Sequence, residues 1–388
     1  IYHDKTVFDE IMKILVINDL LQGGGVEKLM YDIVMRFHNE HEITILTDKR
    51  DEAFEQLYPD NVGYLWHQKE YPKGRNRIER KLIYHRKKKD DKRFIEKIEA
   101  MKFDVLLCMK EGWTMSNGIK FGKSIPKRIA WVHTDYSKSY YTWCAFQTKE
   151  NEVKCMQMYH HVVCVSQVIV DSIKKVIGDP GNLVMQYNPL DKEEIVRKSL
   201  ESVEDIQRSE RPLFVTVGRL NIQKGYDVLL EVCNLLNAEG YQYDVWIVGG
   251  GESWNKYEVM HDLEDRIARY HLDNVYLLGH RDNPHKYVKQ GDWFLSTSRY
   301  EGYSYVSQEA AIIGKALMLT DCSGVMELLG SNENGIVMEN SYKGIYYAMR
   351  DAIKDKAMAE RYTGKVEIAS EEYYGEERFK AIERLFIA

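Results

Sequence analysis

Two cationic side chains stand where the sequence could bind a diphosphate. Arg219 and Lys224 lie five positions apart in the segment VGRLNIQKG, residues 217–225. The apolar run Leu213–Val217 indicates a buried strand before them, and a helix is predicted to begin near Gly225. The arginine offers a planar fork that matches phosphate oxygens, and the lysine adds a mobile point charge. The pair therefore predicts a diphosphate site, with two ordinary surface cations as the alternative.

Two carboxylates follow a later strand. Glu301 and Glu309 begin and end the segment EGYSYVSQE, which comes after the apolar run Trp293–Leu295. Eight helical residues rise about 12 Å, so carboxylates this far apart cannot share a proton or a metal ion. They can contact opposite ends of one extended ligand. A helix is predicted to begin near Ser304, and amide groups at a helix start suit phosphate or sugar hydroxyls. Two unrelated surface glutamates are the alternative.

A glycine run follows the first predicted strand. Glycines 23–25, which include Gly24 and Gly25, come after the apolar run Ile14–Ile17 and before a helix predicted from Val26. Glycines here let the backbone turn tightly and let a ligand approach closely. The spacing is not GxGxxG, and a simple tight turn is the alternative.

Strand and helix patterns alternate along the chain in two sets, which predicts an α/β fold of two Rossmann-like, doubly wound domains facing across a cleft. The predicted strands are Ile14–Ile17, Ile43–Leu46, Val105–Cys108, Ile129–Val132 and Val162–Val165, then Leu213–Val217, Tyr243–Val248, Val275–Leu278, Trp293–Leu295 and Ala316–Leu319. Ligands bind such sheets beyond the carboxyl ends of the strands. Functional residues are therefore expected in the loops that follow strands.

The boundary between the two sets is predicted near Asn188–Leu190, because a polar stretch, residues 191–211, follows it. The expected N-terminal domain is residues 1–189, in which residues 1–11 are an extension before an apparent start at Met12. Residues 190–365 are the expected C-terminal domain. Residues 366–388 are predicted to form a helix that packs back on the N-terminal domain.

The bulk composition excludes several classes of protein. The 388 residues carry a formal net charge of −6, which argues against a general nucleic-acid binder. The six cysteines are scattered singly, so reduced core thiols are expected rather than disulfides or a zinc site. No apolar run approaches the roughly 18 residues needed to cross a bilayer. The first residues are too polar for a secretory signal, and the expected location is cytoplasmic.

One segment is strongly basic although the chain as a whole carries a net negative charge. Lys73–Arg93 is heavily basic, and a basic amphipathic segment can lie on an anionic membrane, each exposed cation contributing roughly 1 kcal/mol. This interpretation predicts peripheral binding to the inner face of the membrane. A solvated helix face, partly neutralised by Asp90 and Asp91, is the alternative.

The two chemistry-bearing segments together resemble a known family. GRLNIQKG followed by EGYSYVSQE is similar to the retaining glycosyltransferases of the GT-B fold, specifically family 4, which builds polysaccharides and glycolipids. The resemblance covers nearly the whole chain. Further matching segments are GGGVEK near the start, WVHTD at Trp131–Asp135, CVS at Cys164–Ser166, NPLD at Asn188–Asp191, IVGGGE at Ile247–Glu252, LLGHRDN at Leu277–Asn283 and TDCSGVMELL at Thr320–Leu329.

The resemblance implies a role for each matching position. Arg219 and Lys224 would hold the diphosphate of a nucleotide sugar. Glu309 would bind the ribose hydroxyls, while Glu301 and His133 would lie beside the donor sugar at the reacting centre. The remaining donor-binding positions would be Gly24 and Gly25 at the phosphate, Arg281 at the base, and the backbone amides of Gly302, Tyr303, Ser304 and Tyr305. A purely structural histidine is the alternative for His133.

An aromatic cluster follows His133 in the sequence. Tyr136, Tyr140, Tyr141 and Trp143 could stack on an acceptor sugar. Plain packing is the alternative for these side chains.

The implied reaction moves a hexose or N-acetylhexosamine to a glycan or lipid-linked acceptor. UDP is the expected nucleotide because it is frequent in the family. Cations and helix starts would stabilise the leaving diphosphate, and the sequence has no DxD motif, so no metal cofactor is expected. Retention is expected to proceed on one face of the sugar, with the leaving phosphate helping to deprotonate the acceptor. A double displacement stays open.

One departure from the family pattern concerns the donor sugar. Many relatives carry an EGFGLPxxE-like core, whereas this chain has Tyr303, Ser304 and Tyr305, which leaves the sugar's identity open. The alternatives are another GT-B sugar enzyme, such as a synthase or an epimerase, and a nucleotide-sugar-binding module without turnover. A dinucleotide oxidoreductase is disfavoured by the poor GxGxxG match. An acceptor assay separates the first alternatives, because an epimerase needs no acceptor.

Overall fold

The computed structural model describes residues 10–19, 24–50, 52–67, 76–250, 256–366 and 375–387. Within these ranges the strands are β1 (Lys13–Ile17), β2 (Glu42–Thr47), β3 (Gly63–Trp66), β4 (Val105–Cys108), β5 (Lys127–Val132), β6 (His161–Cys164), β7 (Leu183–Met185), β8 (Leu213–Val217), β9 (Asp244–Val248), β10 (Val275–Gly279), β11 (Trp293–Ser296), β12 (Ala316–Thr320) and β13 (Ile336–Met338).

The helices alternate with these strands. They are α1 (Gly25–Phe37), α2 (Glu52–Glu55), α3 (Arg77–Met101), α4 (Trp113–Gly122), α5 (Trp143–Phe146), α6 (Lys149–Met156), α7 (Gln167–Val176), α8 (Lys192–Ser199), α9 (Tyr226–Ala238), α10 (Lys256–Arg269), α11 (His285–Gln290), α12 (Tyr305–Ile312), α13 (Val325–Leu329), α14 (Tyr342–Lys354), α15 (Met358–Tyr362) and α16 (Glu376–Ile387). A single 3-10 turn, Ile222–Lys224, precedes α9.

The chain separates into two compact units. The first contains residues up to Val165, Ile169–Asn188 and the residues from Phe379 on. The second contains Ser166–Val168 and Pro189–Arg378. The last helix, α16, therefore begins in the second unit and ends in the first.

The first unit is built on a seven-stranded sheet in the order β3-β2-β1-β4-β5-β6-β7. Its strand pairings in the described residues are parallel, beginning with Ile14 beside Ile43 in β2 and beside Val105 in β4. Apolar side chains such as Leu15 are fully buried because helices cover both faces of such a sheet. The sequence predicted five of these strands and missed β3 and β7.

The second unit repeats the same design. Its six strands lie in the order β10-β9-β8-β11-β12-β13, and the pairings in the described residues are again parallel. The core beneath it includes Phe214, Leu229, Ile247 and Trp293. The sequence predicted five of these six strands and missed β13. Two doubly wound α/β units confirm the predicted fold class.

Strand order decides which loops lie side by side. In the first sheet β1, β4 and β5 are neighbours, so the loops that follow them share the carboxyl edge of the sheet. In the second sheet β8, β11 and β12 are neighbours in the same way. The candidate residues follow β1, β5, β8 and β11, except Arg281, which follows β10.

Four of the six cysteines are buried, as reduced core thiols should be. The buried four are Cys108, Cys164, Cys233 and Cys322, while Cys155 is half-buried and Cys144 is exposed. All six are free thiols. The structure therefore agrees with the predicted absence of disulfides.

Candidate active site

The loop after β8 holds Lys224 in a fixed position. Asn221 accepts a hydrogen bond from the Lys224 amide and caps the 3-10 turn. Gly225 then adopts a φ of 67°, and any side chain there would collide with the Thr297 carbonyl oxygen. Gly218 leaves the space that the lysine side chain occupies, since a Cβ there would lie 2.8 Å from Lys224 Cε. The two glycines therefore determine where the ammonium group lies.

Lys224 contacts Glu301 directly. Lys224 Nζ lies 2.7 Å from Glu301 Oε1, and both side chains are largely buried. Ser298 Oγ donates to the same carboxylate oxygen at 2.8 Å. Lys224 and Glu301 are 77 positions apart in the sequence, and the pairing of β8 with β11 brings their loops together. The result is a fixed cation and carboxylate at the carboxyl edge of the second sheet.

Side chains at the end of β12 and just after β12 and β13 hold the loop that carries Glu301. Thr320 Oγ1 and Cys322 Sγ both donate to the Ser298 carbonyl oxygen, at 2.6 and 2.9 Å. Asn340 Nδ2 donates to the Arg299 carbonyl oxygen at 2.9 Å. These bonds fix the backbone on which Ser298 and Glu301 are placed.

The helix predicted to begin near Ser304 begins at Tyr305. Ser304 is its N-cap, with Oγ accepting from the Ser307 amide at 3.4 Å. Tyr303 and Tyr305 are buried, and the Gly302 carbonyl lies against Gly324, where a Cβ would come within 2.6 Å. The tyrosine side chains therefore pack into the unit, and the backbone of Gly302–Ser304 forms the start of α12.

Glu309 has a different environment from Glu301. It is buried on α12, and its Oε2 lies 3.5 Å from His285 Nε2 at the start of α11. The structure thus places the two glutamates with separate partners, as expected for residues that do not share a proton. His285 was not identified from the sequence.

Arg281 and Arg219 complete the predicted set in the second unit. Arg281 pairs with Asp205 at 2.7 Å and also donates to Tyr287 Oη at 3.0 Å. Its guanidinium is therefore engaged with its own unit. Arg219 follows Gly218 at the end of β8, and its carbonyl accepts from the Asn221 amide at 2.9 Å. It shares the loop that holds Lys224.

In the first unit, Gly24 and Gly25 lie at the start of α1. Gly24 is the N-cap residue, with extended backbone, and Gly25 is the first helical residue. Gly23 lies outside the described residues. Glu27, in the first turn of α1, accepts a hydrogen bond from Asn18 Nδ2 at 3.3 Å. The helix start follows β1, as the sequence predicted.

His133 follows β5 and is held by a carboxylate that the sequence reasoning missed. The backbone amide of His133 donates to Glu111 Oε2 at 3.0 Å, and its Nε2 donates to the Met109 carbonyl at 2.9 Å. This bond assigns the proton to Nε2. Burial lowers the pKa of His133 despite the nearby Glu111 charge, so the ring is neutral at pH 7.

Glu111 is buried in the loop after β4. Burial alone would raise its pKa, but hydrogen bonds from Thr134 and from the backbone amides of His133 and Glu111 lower the pKa of Glu111 below its usual value. The carboxylate also accepts from Tyr141 Oη at 2.9 Å. Glu111 therefore joins the loop after β4 to the loop after β5.

The aromatic cluster after His133 divides into two groups. Tyr136 is buried, and its hydroxyl donates to Glu152 at 2.7 Å, while Tyr140 donates to the same glutamate at 2.8 Å. Tyr136 is thus a packing residue. Tyr141 and Trp143 are exposed. The rings that could contact a ligand are those at the end of the cluster.

Among the described residues, one group could hold a metal ion by its composition: Glu40, His41 and Glu383. Glu40 and His41 precede β2, at the amino edge of the first sheet, away from the loops described above. Arg36 already pairs with Glu40 at 2.6 Å. This group is therefore separate from the candidate active site.

Comparison with known families agrees with this geometry. Residues 23–194 match the family described as Glycosyltransferase Family 4, and residues 197–366 match the family described as Glycosyl transferases group 1. Together the two matches span most of the chain and both units. The chain belongs to the family 4, group 1 glycosyltransferases of the GT-B fold.

Two curated relatives of this family 4 member are named as glycosyltransferases. The chain is 27% identical over 197 residues to N-acetylgalactosamine-N,N'-diacetylbacillosaminyl-diphospho-undecaprenol 4-alpha-N-acetylgalactosaminyltransferase of Campylobacter jejuni, covering 50% of this chain and 51% of that protein. It is 25% identical over 167 residues to poly(glycerol-phosphate) alpha-glucosyltransferase of Bacillus subtilis, covering 42% of this chain and 24% of that protein. The chain spans about half the length of the first curated relatives it matches.

Solved structures of GT-B glycosyltransferases share the fold over nearly the whole chain. HepE of Anabaena, solved with UDP and glucose, has a TM-score of 0.75 at 17% identity, covering 96% of this chain and 98% of its own. A TarM variant of Staphylococcus aureus, solved with UDP, has a TM-score of 0.72 at 12% identity, covering 97% and 100%. At this identity the likeness establishes the GT-B fold.

The candidate site includes residues that sequence reasoning did not identify. Glu111 and Ser298 both follow strand ends, β4 and β11, so the rule that led to His133 could have led to them too. No local sequence pattern distinguishes these two residues, because the role of each depends on a hydrogen-bond partner in a neighbouring loop. In the second unit the structure brings together Lys224 and Glu301, while Glu309 and Arg281 have other partners.

Proposed function

We propose that this chain transfers a hexose or N-acetylhexosamine from a nucleotide sugar, with UDP as the nucleotide, to a glycan or lipid-linked acceptor. The reaction is retaining and serves polysaccharide or glycoconjugate biosynthesis. In it the bond from the anomeric carbon to the diphosphate breaks, a bond to the acceptor oxygen forms, and the acceptor proton passes to the leaving phosphate.

One observation carries the proposal: the contact between Lys224 and Glu301, 2.7 Å apart at the carboxyl edge of the second sheet. A diphosphate leaving group needs a fixed cation, and the anomeric carbon becomes cation-like as the group leaves. Lys224, with Arg219 in the same loop, supplies the positive charge. Glu301 places a negative charge beside it, where the sugar reacts.

Retention is supported by the names of three relatives. The relatives of Campylobacter jejuni and Bacillus subtilis, and poly(ribitol-phosphate) alpha-N-acetylglucosaminyltransferase of Staphylococcus aureus, are all described as alpha-glycosyltransferases. An α product made from an α-linked nucleotide sugar is the product of retention. We extend this outcome to the present chain.

The same cations allow the reaction to proceed without a metal ion. Lys224 and the start of α12 can stabilise the charge that grows on the leaving phosphate. Ser304 is the N-cap of α12, so the first amide groups of this helix follow Glu301 by only a few residues. We therefore propose metal independence for the chemical step.

A screen of nucleotide sugars by thermal shift tests the donor. UDP-sugars are expected to raise the melting temperature, and those that do are assayed against lipid-diphosphate-linked acceptors. Proton NMR of the first product gives its anomeric configuration. An inverted product would reject retention, and an absence of transfer to every acceptor, with donor binding intact, would favour a binding module.

We also propose that the chain binds the cytoplasmic face of an anionic membrane through α3. Residues 73–75 of the predicted basic segment lie outside the described residues, and the rest forms the first part of this 25-residue helix. Its second part packs on the first unit through Asp91, Phe94 and Ile98. From Arg77 to Lys89, by contrast, the side chains other than Ile83 are exposed.

One face of this exposed part combines apolar and basic side chains. Ile78, Leu82, His85 and Lys89 recur at helical spacing, so they share a face opposite Phe94. Ile78 is 73% and Leu82 is 55% exposed. Apolar tips among cations suit an anionic lipid surface. The proposal is also supported by the diphospho-undecaprenol acceptor in the name of the Campylobacter jejuni relative. Among the described residues, no helix is long and apolar enough to span a membrane.

Sedimentation with vesicles tests the membrane proposal. The protein should co-sediment with vesicles containing phosphatidylglycerol at low salt and detach as salt screens charges over about 10 Å at 0.1 M. Replacing Lys81, Lys88 and Lys89 by Glu should abolish binding. The matched control replaces three exposed lysines elsewhere by Glu: Lys175, Lys192 and Lys343. Equal recovery with neutral and anionic vesicles would contradict the proposal.

A further inference from the structure

Three exposed aromatic side chains lie on neighbouring loops and helix starts at the carboxyl edge of the first sheet. Trp113 is 57%, Tyr141 is 42% and Trp143 is 56% exposed. Trp113 is the first residue of α4, which follows β4, and Trp143 is the first residue of α5, which follows β5. Since β4 and β5 are neighbours, these helices begin side by side.

Gly112 brings the loop before Trp113 against the loop before Trp143. Gly112, with a φ of 76°, precedes Trp113, and a Cβ on it would lie 3.7 Å from Tyr141 Cε2 and 3.6 Å from Thr142 Cγ2. The backbone before Trp113 therefore lies against the two residues before Trp143. A larger residue at Gly112 would be strained by its positive φ.

Tyr141 is held rigidly although its ring is exposed. Its hydroxyl donates to buried Glu111 at 2.9 Å, so one end of the ring is fixed inside the unit while a face meets solvent. The other oxygen of the same carboxylate accepts from the His133 amide at 3.0 Å. One buried group thus orients an exposed ring and the backbone of His133.

We propose that Trp113, Tyr141 and Trp143 form a platform that binds a sugar ring of the acceptor, and that Glu111 is the positioning residue that aligns this platform with His133. This inference rests on the proposed function, because it assigns the acceptor side of that reaction. A pyranose ring has an apolar face of C–H groups and a polar rim, and it stacks on aromatic rings with their large apolar surface.

The position of the platform and the charge beneath it indicate which ligand it binds. The platform shares a carboxylate with His133, which the resemblance places beside the reacting sugar, so its ligand lies next to the sugar that is transferred. A nucleotide would need cations for its phosphates, whereas the platform's buried charge, Glu111, is an anion. A neutral sugar with hydroxyl groups satisfies both conditions.

Direct binding of octyl glycosides tests the platform. The probes are octyl α- and β-glycosides of glucose, galactose, N-acetylglucosamine and N-acetylgalactosamine, followed by saturation-transfer NMR. Wild-type protein should bind at least one of them. Trp113→Ala and Trp143→Ala should each weaken that binding about 10-fold, the scale of one aromatic contact. Trp66→Ala is the matched control, because Trp66 is 48% exposed on edge strand β3 and should leave binding unchanged.

Steady-state kinetics separates the platform from its positioning residue. Tyr141→Phe keeps the ring and removes its anchor, so KM for the octyl glycoside should rise about 3-fold with kcat little changed. Glu111→Gln loosens both Tyr141 and His133, so it should raise the same KM and also lower kcat about 10-fold or more. KM for the donor should stay near the wild-type value in both variants. A Glu111→Gln enzyme with unchanged kcat and KM would overturn its positioning role.

The outcomes distinguish the platform from the donor reaction. If wild type binds none of the glycosides, or if both tryptophan variants bind them like wild type, the platform is wrong even where UDP-sugars still raise the melting temperature. If no nucleotide sugar binds while glycoside binding depends on Trp113 and Trp143, the platform stands and the proposed donor reaction fails.

Discussion

The two sheets of this chain carry different kinds of chemistry at their carboxyl edges. In the second unit, the cation Lys224 lies on the carboxylate Glu301, and Arg219 stands in the same loop. In the first unit, the buried carboxylate Glu111 is bound by neutral donors, a tyrosine hydroxyl and the His133 amide, with exposed aromatic rings above it. The same topology thus supports an ionic site and an uncharged, aromatic one.

The two sites differ because the buried carboxylate in each unit has a different kind of partner. A buried carboxylate needs partners, and in the second unit a cation provides one while in the first unit hydrogen bonds alone provide them. A cation in that position can be shared with an incoming anion. Neutral donors instead leave a surface suited to a neutral ligand. We infer that a doubly wound unit is specialised through the loops after its central strands, without change to the sheet.

The largest expected effect concerns the ionic site. Lys224→Ala removes the cation beside the leaving diphosphate and leaves Glu301 buried without its partner, so kcat/KM should fall about 10²-fold or more. Arg219→Ala is expected to show a loss of the same order. Lys343→Ala, at an exposed position on α14, is the control. Near-normal turnover in a folded Lys224→Ala protein would remove the basis for the diphosphate site.

The second prediction separates the two glutamates of the ionic unit. Glu301→Gln keeps the shape and removes the charge beside the reacting sugar, so kcat should fall strongly even at saturating donor. Glu309→Gln should mainly raise KM for the donor, because ribose binding is present in ground and transition states alike. Full donor kinetics on both variants, with folding checked by thermal melting, measures this. Identical patterns would show that the roles are assigned wrongly.

A smaller effect on kcat/KM is expected from the protonation of His133 in the first unit. Because burial lowers the pKa of His133, its ring should stay neutral as pH falls past the ordinary histidine value of about 6.5. The His133-dependent part of kcat/KM should therefore decline only at lower pH. A pH profile of wild type against His133→Asn measures it, since the acidic decline due to this ring should disappear in the variant. A decline centred above pH 7 would contradict a neutral His133.

The smallest effect is expected from removal of metal ions. With Lys224 and Arg219 as the cations of the ionic site, EDTA should change kcat by less than about 2-fold. The measurement is initial rate before and after dialysis against EDTA, under single-turnover conditions as well as steady state. A strict need for Mn²⁺ or Mg²⁺ in the single turnover would mean that the protein cations are not sufficient.

The sequence predicted the sheets better than the site. Mostly apolar runs of three to six residues predicted ten of the thirteen strands in the described residues, because a strand buried on both faces has a nearly continuous apolar pattern. The three strands that were missed, β3, β7 and β13, are short and lie at sheet edges, where pairing rather than pattern makes them strands. Arg219, Glu301 and His133 lie in loops that follow predicted strands, whereas their roles stay predictions.

The contacts between residues of the candidate site could not be predicted from their spacing in the sequence. The ion pair of Lys224 and Glu301 joins residues 77 positions apart, and Glu111 reaches His133 across 22 positions. Each contact depends on which strands are neighbours, and strand order is a property of the folded sheet. The family resemblance supplied the roles of Lys224 and Glu301 in the second unit. No local sequence pattern indicated that Glu111 is the buried carboxylate of the first unit.

The return of the last helix to the first unit affects how this protein is made. Phe386 packs on Phe37 with ring centroids 5.5 Å apart, and both side chains are buried. The first unit is therefore incomplete until the residues after 378 have left the ribosome. At about 5–20 residues per second, the Phe37 surface that α16 covers stays exposed for on the order of tens of seconds after the synthesis of α1. During that interval nascent chains are exposed to aggregation and to chaperone binding, even though the unit's sheet is encoded entirely in the first half of the chain.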